Sequence, residues 1–264
     1  MEIDYDELNE QNVLNKLFKL PAEPNSVFTT GYFPLARNVT VPQQILRKRC
    51  EQVISIEMAT STQNAITLKG SAAIISEYLN YGINSILFQR GIYPPEQFTS
   101  VQQYGLTILM SKDEKIIAFL RNVLTQVQDW LGQNQVDKIS MIITNVHTKE
   151  VLECWDFKVQ NELGDSASKL DPNNPPTSSK ELKKIQAEIR DVMRQIAATI
   201  SYLPLIESIC TFDLLIHTLK DSEVPELWSP TADAKIENAQ TVQLKSFSTG
   251  LHKMNTIVNY KMTD

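Results

Sequence analysis

Between Ile66 and Phe98 the chain reads ITLKGSAAIISEYLNYGINSILFQRGIYPPEQF. Ile75, Leu79, Ile83 and Ile86 recur at helical spacing, which predicts an amphipathic helix over residues 70–90. The Gly91-Ile-Tyr-Pro-Pro turn then ends it, because proline lacks the N–H that would continue the helix and also restricts the residue before it. One long helix with a hard stop, set early in a regular stretch, fixes the frame for everything that follows.

That regular stretch begins near Gln63. Tyr104 to Met110 predicts a short strand. Ser111-Lys-Asp-Glu114 has the pattern of a capping box and opens a second helix with Ile116, Leu120, Val123, Val127 and Trp130 on one face. Asp137–Val146 and Val151–Val159 read as a hairpin around His147-Thr-Lys-Glu150, with Val151, Trp155, Phe157 and Val159 on one face at a period of two. Residues 161–179, broken by Gly164, Pro172, Pro175 and Pro176, read as a long surface loop. Ser178-Ser-Lys-Glu181 is a second capping box, before a helix striped by Leu182, Ile185, Ile189, Val192, Ile196 and Ile200. Ile209 to Thr218 alternates, with Cys210, Phe212, Leu214 and Ile216 together, and strand-like runs follow at Lys235–Phe247 and Asn255–Tyr260. Three helices against a mostly antiparallel sheet predict an α+β domain.

Residues 1–57 have another texture. They begin acidic, carry Pro21, Pro24, Pro34 and Pro42 and the cluster Arg47-Lys48-Arg49, and show little periodicity. The expectation is a mostly flexible extension, with a short helix near Gln43–Val53, ahead of a domain over 58–264.

Composition removes several function classes. A net charge of −6 disfavours a general nucleic-acid role, which needs a basic face. No apolar run approaches a membrane span, and the acidic start is the opposite of a signal peptide. Cys50, Cys154 and Cys210, three in number and without short spacing, argue for reduced thiols and against a disulfide framework or zinc site. There is no glycine-rich phosphate loop. His147 falls in a predicted turn, His217 on the exposed face of a strand beside Asp213, and His252 near the end, so no catalytic set or cofactor site assembles and a non-enzymatic protein is expected.

Several ordered segments carry a family resemblance: GINSILFQRGIYP (82–94), QVQDWL (126–131), EIRDVMRQIAATISYLPL (188–205), TFDLLI (211–216), VPELW (224–228) and SFSTGLHKMNTIVNYK (246–261). Over residues 63–261 the chain resembles the HORMA domains, specifically the mitotic-arrest-deficient adaptors of the spindle assembly checkpoint. Such domains have two folded states. In the closed one a mobile C-terminal safety belt, here about residues 220–264, crosses the sheet and traps an extended peptide against a strand edge, here residues 209–218. This is β-augmentation, in which backbone hydrogen bonds give affinity and side-chain pockets give selectivity.

The resemblance implies peptide contacts at Phe212, Leu214, Ile216, Trp228 and Val258. It implies a conformer-dimer interface at Arg90, Arg194, Gln195 and Tyr202, the last a phenylalanine in much of the family. The implied partners are the WD-repeat activator of the anaphase-promoting ubiquitin ligase, a coiled-coil kinetochore receptor, a HORMA antagonist that binds the closed conformer, an AAA+ remodelling ATPase and a second copy of the chain. Nucleus, kinetochore and cytoplasm are the implied locations. A related adaptor role in translesion synthesis or on the meiotic chromosome axis is the alternative.

Family ligands place a basic residue before two bulky apolar ones, then an aliphatic and a proline. Lys16, Leu17, Phe18, Leu20 and Pro24 fit that order. The sequence therefore suggests that the domain closes on its own N-terminal segment, in cis or across a dimer, with residues 16–24 as the ligand.

Overall fold

The computed structural model describes residues 27–29, 65–162, 176–219 and 228–262. Its chain order is β1 (Val27–Thr29), β2 (Ile66–Thr67), α1 (Leu68–Gln89), β3 (Phe98–Gln103), β4 (Leu106–Ser111), α2 (Glu114–Leu131), β5 (Val136–Asn145), β6 (Val151–Asn161), β7 (Thr177–Ser178), α3 (Leu182–Ala198), β8 (Cys210–Thr218), β9 (Ser229–Thr231), β10 (Gln240–Ser248) and β11 (His252–Tyr260). The three helices and antiparallel pairings agree with the α+β expectation.

Helix α1 starts where the Thr67 hydroxyl accepts the Gly70 N–H, 3.1 Å away. The single apolar stripe understates its burial. Ser71, Ala72, Ser76, Gly82, Asn84 and Ser85 are buried along with Ile75, Leu79, Ile83 and Ile86. Small residues let neighbours approach closely, so α1 lies inside the domain, touching α2, α3 and β4. A Cβ on Gly82 would come within 3.7 Å of Ile196 on α3. The helix then gives way at Arg90, and Gly91 takes a positive φ of 64° that favours glycine.

Neither predicted capping box forms. Asp113 caps α2, accepting the Lys115 N–H at 2.8 Å, while Ser111 accepts from Asp113. Glu181 precedes α3 without a side-chain cap, and the Ser178 hydroxyl accepts the Lys180 N–H instead. The α3 stripe holds at Ile185, Ile189, Val192 and Ile196 but ends short: Leu182 and Ile200 are exposed. The strand expected at 104–110 is β4, and it pairs antiparallel with β3, which the sequence pattern does not mark. The short helix expected near 43–53 lies outside the described residues.

The main sheet has seven strands in the order β10-β11-β6-β5-β8-β1-β9. Ile139 of β5 aligns with Phe157 of β6 and Ile216 of β8, Met141 with Trp155 and Leu214, and Ile143 with Glu153 and Phe212, and this face forms the core against the helices. The opposite face carries Lys138, Ser140, Cys154, Asp156 and His217. No described helix is long and apolar enough to cross a membrane.

Candidate functional site: a strand clasped by the C-terminal belt

The order of strands places the two halves of the C-terminal segment at opposite ends of the sheet. β9 is the last strand on one side, and the β10–β11 hairpin closes the other by pairing β11 with β6. Residues 232–239 must therefore traverse the sheet. Six strand spacings of about 4.8 Å amount to roughly 29 Å. The nine Cα steps from Thr231 to Gln240 reach at most about 30–32 Å. A turn at residues 237–238, with Asn238 at a positive φ of 55°, takes up part of that length, so the segment crosses the twisted sheet on a path shorter than the summed spacings.

Between β8 and β9 lies β1, antiparallel to both. Val27, Phe28 and Thr29 stand opposite His217, Ile216 and Leu215 on one side. The same residues stand opposite Thr231, Pro230 and Ser229 on the other. The extension thus contributes a strand at the edge of β8, clasped from outside by the belt. The candidate ligand motif, Lys16, Leu17, Phe18, Leu20 and Pro24, lies outside the described residues. Pro230 belongs on an outermost strand, where its missing N–H leaves no ladder bond unmade and blunts further strand addition.

The helix-facing side chains of β8 build the edge from beneath. Leu214 and Ile216 are fully buried, and Phe212 meets Tyr93 and Phe119 edge-on at 6.2 and 5.7 Å. What β8 offers to β1 is its backbone. Trp228, immediately before β9, turns inward with 7% exposure and meets Trp130 of α2 at 5.2 Å between ring centroids. It fastens the start of β9 to the core. Val258 differs from the expectation. It sits on β11 opposite Trp155, fully buried, with β6, β5 and β8 between it and β1. It lies within the expected belt range, and the crossing carries it to the far edge of the sheet.

The four expected interface residues also separate. Arg194 is exposed, Gln195 half-buried and Tyr202 exposed, and Gln195 and Tyr202 line a shallow groove with Ala198, Val242, Gln243 and Leu244. The Gln195 side-chain Oε1 also accepts the Lys245 backbone N–H at 2.5 Å, tying α3 to β10. Arg90 is not on that surface. It is 6% exposed, donates through Nε to Glu153 at 2.8 Å and through Nη2 to the Pro204 carbonyl at 2.5 Å. Glu153 accepts a further bond from Trp155 Nε1 at 3.0 Å. Arg90 thus supports the loop after Tyr202 from within.

The traverse covers a polar layer that includes His217, expected on an exposed face. Asp233, on the crossing segment, stands 3.8 Å from His217 Nε2 and 3.9 Å from Lys138 Nζ. Beneath it, Asp156 accepts from Ser140 at 2.5 Å and Asn259 at 3.2 Å and pairs with Lys138 at 3.3 Å. His217 is 9% exposed, not on an open face, and lies 3.2 Å from Ser140. Burial, then Lys138, push its pKa below the usual imidazole value, against the opposing pull of Asp233, Asp156 and Asp137. Burial, followed by Asp156, pushes the Cys154 thiol up to about 12. Serine, histidine and aspartate together invite a nucleophile reading. The geometry speaks against it: Ser140 is fully buried and its hydroxyl hydrogen is committed to Asp156.

At the other end of the belt, His252 is 1% exposed. Its Nδ1 lies 2.7 Å from the Ser71 hydroxyl and its Nε2 3.0 Å from Asn134 Oδ1. Burial lowers its pKa to about 4, with Glu162 opposing. Gly250 in the adjoining turn has a φ of 86°, and a Cβ there would collide with Ser178.

A three-helix, sheet-based domain whose C-terminal segment crosses the sheet to clasp a strand defines a belt-type peptide-binding fold. The HORMA domain model matches residues 71–252, and the chain belongs to the HORMA family. It is 46% identical over 202 residues to human mitotic spindle assembly checkpoint protein MAD2A, covering 76% of this chain and 96% of that protein. The Dictyostelium discoideum MAD2A is 42% identical over 209 residues, covering 79% of this chain and all of its own length. Among solved structures, a chain of the mitotic checkpoint complex superposes with a TM-score of 0.64 at 37% identity, covering 73% of this chain and 99% of its own.

Proposed function

We propose that this chain is a spindle assembly checkpoint adaptor that works by clasping peptides rather than by catalysis. The observation that carries the reading is the β8-β1-β9 arrangement: an extended strand paired on both sides, with the outer partner supplied by the belt. A ligand so held leaves only when pairing is lost on both sides or when the belt opens, so release is slow compared with release from an open groove.

The ligands in this reading are the WD-repeat activator of the anaphase-promoting complex, whose capture delays anaphase, and the coiled-coil kinetochore receptor. The exposed Arg194 and Tyr202, with Gln195, form the face that meets a second conformer or the HORMA antagonist. The AAA+ ATPase reopens the belt. The protein acts in the nucleus and cytoplasm and at kinetochores. High identity along nearly the whole of the checkpoint relatives favours this over translesion or meiotic-axis roles.

Affinity capture from mitotic cells tests it. Recovery of the anaphase activator, lost on Trp228→Ala, is the expected result. Recovery of a polymerase subunit or chromosome-axis protein without the activator overturns it.

A further inference from the structure

We infer that the segment around Val27–Thr29, and not Lys16–Pro24, is a built-in occupant of the peptide slot, held in cis, which partner peptides must displace. The inference rests on the clasp reading above and adds the identity of the resident strand. All three residues of β1 are in register with Leu215–His217 and with Ser229–Thr231. With β1 in place, the edge of β8 over those residues is paired and β9 has a neighbour to close upon; without it, both would present unpaired backbone groups.

The sequence suits the position. Val27, Phe28 and Thr29 are strand-favouring residues bounded by Pro24-Asn25-Ser26 and by Gly31. Reach allows a cis arrangement. The 36 residues numbered 30–65 separate β1 from β2, and a chain of that length can extend to about 120 Å at most. That compares with a diameter of about 40 Å for a domain near 200 residues.

A tethered segment of this kind acts at an effective concentration of about mM. If its intrinsic dissociation constant is near μM, an added peptide binds about 1,000-fold more weakly to the intact chain than to a chain whose slot is vacant. The resident strand is short, with three paired residues against the nine of β8. A partner that pairs along more of β8 can therefore replace it. The segment keeps the belt closed while leaving the slot exchangeable.

The test uses the full chain and a fluorescein-labelled peptide of residues 24–32, followed by anisotropy at nanomolar and micromolar protein. Phe28→Pro removes a ladder donor from the middle of a two-sided strand, and Thr29→Pro provides a second variant; circular dichroism verifies that each is folded. Both should bind the probe at least 100-fold more tightly than the unaltered chain, which should remain blocked at both concentrations. Equal binding by all three chains, or no binding by any, overturns the proposal. So does a gain produced by Leu17→Ala/Phe18→Ala instead of the proline variants. Blockage that disappears on dilution assigns the strand to a second copy and overturns the cis arrangement. Capture of the anaphase activator is measured in parallel. If the activator is captured while the probe results fail, the resident-strand inference alone falls; if the activator is never captured, the adaptor reading falls.

Discussion

The indole of Trp228 meets that of Trp130 edge-on at 5.2 Å, joining the first residue before β9 to the C-terminal turn of α2. This contact is where the belt takes hold of the core. Replacing a buried tryptophan by alanine costs about 3–5 kcal/mol when the site cannot refill. Trp228→Ala should lose most of this from belt closure and little from the helices. Denaturant melts monitored by far-ultraviolet dichroism should shift modestly, whereas amide exchange in Ser229–Thr231 should accelerate strongly. Equal acceleration throughout the domain would mean that the pair supports the whole fold.

Arg90 and Glu153 form an interior ion pair, with Trp155 and Pro204 completing its hydrogen bonds. Removing one member of such a pair leaves an uncompensated buried charge and costs about 3–5 kcal/mol, while replacing both with apolar groups recovers much of the loss. Arg90→Ala should lower the urea midpoint sharply, and Arg90→Met/Glu153→Met should restore part of it. A surface arginine used only for partner contact would change stability by less than about 1 kcal/mol.

His252 gives the fold a pH dependence. Its pKa in the folded chain is about 4, against about 6.5 when unfolded. The unfolded chain therefore binds the proton more readily between those values, and stability falls as pH drops. The contribution is fully present above about 6.5, is reduced by about 2 kcal/mol at pH 5 and is lost below 4. Urea titrations at pH 7 and 5 should show the decrease, and His252→Asn should reduce it, leaving the part due to His217, whose pKa burial also lowers.

The crossing segment offers a length test. Residues 232–239 carry the chain from β9 at one edge of the sheet to β10 at the other, with a turn at 237–238. Deleting Ala234 and Lys235 should prevent β9 and the β10–β11 hairpin from occupying their places together. Exchange protection should persist in one of the two and vanish from the other. Persistence in both would show that the segment takes a shorter path.

Periodicity made the helices and the β5–β6 hairpin legible, because Ile75 to Ile86 and Trp155 to Val159 face one core. It failed where burial is not one-sided: α1 is enclosed, so its small residues carry as much information as its stripe. The family segments marked residues 209–218 and 220–264, but could not give the distance between Val258 and β1, since strand order is a long-range property. Glu153 was the missed signal for Arg90. It occupies an inward position between Val151 and Trp155, and a carboxylate there requires a buried partner. The polar layer was similarly concealed, because Ser140, Asp156 and His217 come together only across three strands.

Amide hydrogen exchange of the full chain, read over Val27–Thr29 and Ser229–Thr231 together, tests the central claim most directly. The account predicts that both segments are protected to the same degree and that Phe28→Pro strips protection from both at once. Rapid exchange of Val27–Thr29 beside a protected β9 would contradict it, since the belt would then be closed on something other than this strand.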